Sequence, residues 1–256
     1  LDDTILASLA SQLVTDYRKD KESRSDWEKS YTSGLDLLGF KYNDEGQPFR
    51  GASSVTHPLL AESVTQFQAQ AYKELLPAGG PVRVNIIGEP NPQSEQQAQR
   101  VQDYMNYQIC YNMEEYDPEL DQLLFYLPLS GSAFKKVYYD ETKQRPVARF
   151  VPSEDIIVPY SSVDLANAVR LTHRLKMTGN EVRKLQVAGI YRDVPVRPTH
   201  VYSDLEETME KVSGESATMT YEDDELEIYE IHTFLDLEGF EDIGQDGEPT
   251  GIKLPY

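Results

Sequence analysis

The stretch from Leu120 to Pro159 constrains this chain more than any other. An apolar helix signal runs into Gly131-Ser132-Ala133 and emerges as a tyrosine-rich strand, Phe134-Lys135-Lys136-Val137-Tyr138-Tyr139-Asp140. A second strand, Pro146 to Val151, follows at once, and then Pro152 and Pro159 bound a short extended run. A helix that feeds strands through small residues is a structural module, and nothing in it carries the residue set of a catalytic centre. With the helical periodicity found elsewhere it predicts an α+β fold: long amphipathic helices packed with short, mostly antiparallel strands.

The helices are read from spacing. Ile5, Leu6, Leu9, Leu13, Val14 and Tyr17 lie on one face over residues 4–20, and Trp27, Tyr31 and Leu35 on one face over residues 26–38, with Gly39 as the stop. Residues 41–52 have turn chemistry. Pro58 can open the next helix, whose face is Leu60, Val64, Phe67, Ala71 and Leu75, and Pro77-Ala78-Gly79-Gly80-Pro81 ends it. Val82 to Ile87 alternates as a strand. Ser94 is the expected N-cap of a helix reaching Tyr111, and Asp117-Pro118 of another, which Pro128 should kink or end.

Further on, Ala168 to Met177 is predicted extended, with Val169, Leu171 and His173 on one face and Arg170, Thr172 and Arg174 on the other. Thr178-Gly179-Asn180-Glu181 is a capping box, and Gly189 stops the short helix it starts. Leu226 to Leu237 is a strand, and Asp246-Gly247 before Gly251-Ile252-Lys253-Leu254 is a hairpin signal. The expected division is a helical segment at 1–40 and an α+β domain at 41–256, with an acidic mobile excursion at about 203–225.

Chemistry is sparse. His57, His173, His200 and His232 each stand without a His or Cys three or four residues away, whereas zinc needs three or four converging ligands. His173 is expected to face the core. Glu222-Asp223-Asp224-Glu225, with Glu227 and Glu230, offers carboxylates to a hard cation, but adjacent carboxylates diverge along an extended chain. The phosphate-cradling glycine patterns and the G-x-S-x-G elbow are absent. Cys110 has no evident base, and Gly131-Ser132-Ala133 reads as a crossing rather than a nucleophile. The expected catalytic, cofactor-binding and metal-ligating sets are therefore empty, and the chain is read as a non-enzyme without cofactors. The alternative is a divalent-metal-dependent hydrolase built on the C-terminal carboxylates.

Charge narrows the partners. The net charge is -20, and residues 201–256 hold 17 acidic and 2 basic side chains. Such a surface repels phosphates, so gripping DNA by its backbone is disfavoured. Between Arg18 and Trp27, Lys19, Lys21 and Arg24 alternate with Asp20, Glu22 and Asp26, a solvated helix or a subunit contact. Lys135 and Lys136 are expected to flank a strand rather than touch DNA. Seventeen Tyr against eight Phe suits half-buried rings and subunit contacts. No run of about 18 apolar residues spans a membrane. The single cysteine points to a reducing compartment. Leu1-Asp2-Asp3-Thr4 reads as a trimmed start, and Gly251 to Tyr256 as the beginning of a further strand, so the natural chain is expected to continue.

The segments quoted above, together with Arg170 to Arg174, Gly51-Ala52-Ser53-Ser54-Val55-Thr56-His57-Pro58-Leu59 ahead of a long helix, and Tyr229-Glu230-Ile231-His232-Thr233-Phe234, are ordered along the chain from about Trp27 to Tyr256. In that order they resemble the portal proteins, or head-tail connectors, of tailed double-stranded-DNA bacteriophages, especially the podovirus type. The resemblance implies the N-terminal wing region, without stem and clip. It further implies a dodecameric homo-oligomeric ring at one capsid vertex, through which DNA is packaged and ejected without sequence-specific binding. Capsid protein, a tail adaptor and a terminase that supplies the ATPase would be its partners, with the virion, and the host cytoplasm during assembly, as its location. Another head-tail adaptor protein is the neighbouring alternative.

Overall fold

The computed structural model describes residues 2–39, 57–141, 143–196, 208, 225–237, 239–243 and 248–256. The chain divides into one unit made of Leu1–Gly39 with Glu154–Tyr256, and a second made of Phe40–Ser153. The N-terminal helices thus group with the C-terminal strands, whereas the sequence reading sets residues 1–40 apart from 41–256. The fold is α+β, with six α-helices and two antiparallel sheets among the described residues.

In the first unit, α1 (Asp3–Ser23) and α2 (Ser25–Leu38) meet at Arg24. The sheet runs β3-β4-β5-β6, from β3 (Ile156–Ile157), β4 (Arg170–Thr178), β5 (Glu225–Leu235) and β6 (Leu254–Pro255). Ile156 lies opposite His173, Arg170 opposite Thr233, and Phe234 opposite Pro255. Thr178 and Glu181 form the expected capping box, each side chain accepting from the other's backbone N–H, and open α6 (Gly179–Val187). Tyr17, Tyr31, Leu35, Ile157, Val182 and Leu226 are buried. Trp27 stacks on Tyr31 at 5.3 Å, and the Arg24 guanidinium lies 5.1 Å from the indole centre.

The second unit holds α3 (Leu59–Leu75), α4 (Pro92–Tyr107), a π-helical turn (Gln108–Asn112), α5 (Tyr116–Ser130) and the hairpin β1 (Phe134–Asp140) and β2 (Arg145–Val151). Helix α3 packs on α5, tied by Tyr72 Oη donating to Asp117 at 2.5 Å and Gln68 donating to Asp121 at 2.7 Å. The core is Val64, Met113, Leu120, Leu124, Val147, Ala148 and Val151. Pro128 lies inside α5, which ends two residues later at Ser130 and is capped by a left-handed Gly131, φ 80°.

Several sequence expectations are corrected. Val82–Ile87 is not a strand, because no neighbouring strand pairs with it. The Asn106 side chain takes that place, accepting from Val82 N–H at 2.9 Å and donating to Val82 C=O at 3.1 Å. Gln102 likewise accepts from Val84 N–H at 3.3 Å. Ser94 is not an N-cap. Asn91 is, with Pro92 in the first turn and Ser94 closing the capping box from the third helical position. Helix α5 starts at Tyr116, so Asp117 sits in its first turn and binds Tyr72 instead of capping. Of the face assigned to α3, Val64 is buried, while Phe67 and Leu75 are exposed.

In β4 the face carrying Thr172 and Arg174 is the more buried one, while Val169 is exposed. His173, expected to face the core, is buried on the other face, and Arg174 is buried because Asp155 and Glu227 pair with it. The turn chemistry at 41–52, the Gly51–Thr56 part of the resemblance, the excursion at 203–220 and Asp246-Gly247 lie outside the described residues, apart from residue 208.

Candidate functional site

The densest polar chemistry in the first unit is a buried ionic cluster. Arg24 closes α1 and reaches into the turn before β3, donating from Nη2 to Glu154 O at 2.7 Å and from Nη1 to Ile156 O at 3.0 Å, while its Nε holds Glu28 at 2.9 Å. Arg174, on β4, binds Asp155 through Nε at 2.9 Å and Glu227 through Nη1 at 3.3 Å, and its own N–H donates to Asp155 O at 2.8 Å. Four residues earlier on the same face, Arg170 holds Asp20 at 2.8 Å and Asp16 at 2.9 Å. The acids come from α1 at spacing four, so both meet one guanidinium.

Two tyrosines complete the cluster. Tyr17 packs on Tyr229 with ring centres 4.3 Å apart, and Tyr229 Oη donates to Glu227 at 2.5 Å. Burial pushes both phenols up, and the Glu227 carboxylate raises Tyr229 further. Glu154 differs from the other acids. The residue is 5% exposed, and its Oε2 has no hydrogen-bond partner. Burial pushes its carboxyl up to about 7, against the pull of Arg174 and Arg24. A general acid must reach its substrate, and this one is sealed. The cluster's chemistry is that of a proton-sensitive support for the sheet.

His57 is exposed, 3.9 Å from Glu62. His173 is buried, and its Nδ1 lies 3.4 Å from Glu230 Oε2, while His232 Nε2 lies 3.2 Å from Glu230 Oε1. One carboxylate therefore spans two imidazoles, an arrangement hidden in the sequence because the β4–β5 register creates it by setting His173 opposite Glu230. Among the described residues no group of three or more His, Cys, Asp or Glu side chains is placed to hold a metal ion. His200 and Glu222-Asp223-Asp224 lie outside the described residues. Glu227 and Glu230 fall on opposite faces of β5, one engaged by Arg174 and the other beside the histidines.

In the second unit, Ser130 donates to Tyr126 O at 2.9 Å and to Ser132 O, and Ser153 also donates to Ser132 O, so the hydroxyls knit the crossing together. Cys110 is exposed in the π-helical turn. Lys135 places Nζ 3.8 Å from the Tyr116 ring centre, and Arg145 grips Glu115 at 2.8 and 2.7 Å, which holds that carboxyl down to about 2.

What this unit offers outward is apolar and aromatic. Helix α4 has no buried residue, and Val101, Tyr104, Met105, Tyr107 and Tyr111 are all exposed, Tyr111 by 75%. Tyr107 and Tyr111 stack at 6.0 Å across the π-helical turn. Such a rigid, amphipathic surface has the composition of a protein contact. No helix among the described residues is long and apolar enough to cross a membrane. No known protein family matches the chain, and no curated protein matches its sequence.

Proposed function

We propose that this chain is the wing region of a portal-type subunit, a structural protein that assembles with copies of itself into a ring at a capsid vertex, where double-stranded DNA is packaged and ejected. The observation that carries the reading is the exposed tyrosine surface of α4 and the π-helical turn, which has the makings of a subunit contact. The chain order of the segments from Trp27 to Tyr256 supports it, as does the acidic charge, which suits DNA passing without being held. In this reading capsid protein, a tail adaptor and a terminase are the partners, and the protein resides in the virion after assembly in the host cytoplasm.

Sedimentation velocity and negative-stain microscopy over a rising concentration series test the proposal. Closed rings are expected, and replacing Tyr104, Tyr107 and Tyr111 together by Ser shifts the population to smaller species without lowering the melting temperature. Monomers alone at the highest concentration overturn it.

A further inference from the structure

The hairpin carries an unpaired edge whose hydrogen-bonding phase can be worked out. Pro146 has no N–H, so its pair with Tyr139 is not one that exchanges bonds. Phe150, opposite Lys135, turns its N–H away from β1 and donates to Glu119 Oε2 at 2.6 Å. In an antiparallel ladder bonded and non-bonded pairs alternate, so the exchanged bonds fall at Phe134–Val151, Lys136–Arg149, Tyr138–Val147 and Asp140–Arg145. The N–H and C=O groups of Lys135, Val137 and Tyr139 therefore point outward from the sheet. Among the described residues no backbone partner meets them.

Edge strands are ordinarily guarded by charge, lysine above all. Here one of the strand's two lysines is drawn off the edge, because Lys135 folds its ammonium onto the Tyr116 ring, and Lys136 stands on the opposite face. What remains on that edge is Val137, 66% exposed, and Tyr139, 61% exposed.

We propose that β1 pairs antiparallel with β1 of a second copy of this chain, Val137 facing Val137. This register is the two-fold one that uses every outward group: Lys135 meets Tyr139, Val137 meets Val137 and Tyr139 meets Lys135, making about six hydrogen bonds. Slipping it one way sets Lys136 against Lys136, and either slip loses a bonded pair. In the centred register each lysine faces a tyrosine and no like charges stand opposite. Backbone donors and acceptors match in any antiparallel pair; what favours a second copy is that the centred two-fold register sets both lysines of each strand opposite tyrosine rings, with no like charges opposed. A two-fold contact joins chains in pairs and does not itself close a ring, so the pairing and the ring stand or fall on separate measurements.

Cysteine cross-linking reads the register directly. In a Cys110→Ser background, Val137→Cys is expected to form a disulfide-linked dimer roughly tenfold faster than Ile87→Cys, an exposed control in the same unit, because paired strands raise the local thiol concentration. Lys136→Cys and Tyr138→Cys chains should cross-link when mixed but not alone. Val137→Pro should abolish the pair in sedimentation while melting stays unchanged, since that N–H serves no bond within the chain. A Val137→Cys rate equal to the control, Tyr138→Cys cross-linking with itself as fast, or a pair that persists in Val137→Pro each overturns the proposal.

Discussion

Glu154 is the residue whose proton the fold feels. Its carboxyl stands at about 7 in the folded chain against an ordinary 4.5, with burial as the leading cause. Between those values the folded state binds more protons than the unfolded one. The stability this group contributes is therefore fully present below about pH 4.5 and is lost as pH rises to about 7. Glu154→Gln, which keeps the shape and cannot ionise, should flatten that slope and stabilise the first unit at pH 8 by about 3 kcal/mol. Melting curves at pH 5 and pH 8 decide it, and an unchanged difference between the two variants would sink the assignment. None of this was legible in the sequence. Glu154 stood there as one acid in a proline-bounded run, while its backbone carbonyl is held by Arg24, 130 residues upstream.

At the scale of elements, spacing located the helices and strands wherever one apolar face sufficed, as in α1, α2, β1 and β5. Local hydrogen-bond chemistry located α6 through Thr178 and Glu181. Ser94 lost its cap to a local competitor, Asn91, but in other misses a partner distant in sequence decided the outcome. Val82–Ile87 alternates like a strand, yet its backbone bonds go to amide side chains on α4. On β4, His173 is buried as expected, and what alternation does not reveal is that Arg174 on the other face is buried too, neutralised by Asp155 and Glu227.

Asn106 thus acts as a one-residue strand partner, and it sits tightly. A Cβ built on Gly80, whose φ is +88°, would lie 2.4 Å from Asn106 Cγ. Asn106→Ala leaves both Val82 groups without their partner and should cost about 1–3 kcal/mol. Faster amide hydrogen exchange at Val82 and Val84 should accompany it. Protection unchanged at both would show that the segment is held some other way.

The whole molecule has an uneven charge, with most of the excess acid in residues 201–256. Of the described carboxylates of that region, Glu227 is held by Arg174 and Tyr229, Glu230 lies beside two histidines, and Asp242 accepts from Thr250. Millimolar Mg²⁺, Mn²⁺ or Ca²⁺ should accordingly leave the melting temperature unchanged, because a cation stabilises only by binding the folded form. A rise of several degrees with one of them would restore the hydrolase alternative. The outward surface of the second unit was only partly foreshadowed, since a surplus of tyrosine marks a contact-forming chain but not which rings remain uncovered.

The lone tryptophan gives this architecture a built-in optical probe. Trp27 lies within the Leu1–Gly39 part of one unit, sandwiched near Arg24 and Tyr31. Emission excited at its red edge follows that unit alone, and the other melts in the dark. A gap between the fluorescence transition and the far-ultraviolet dichroism transition would then measure how independently the two halves unfold.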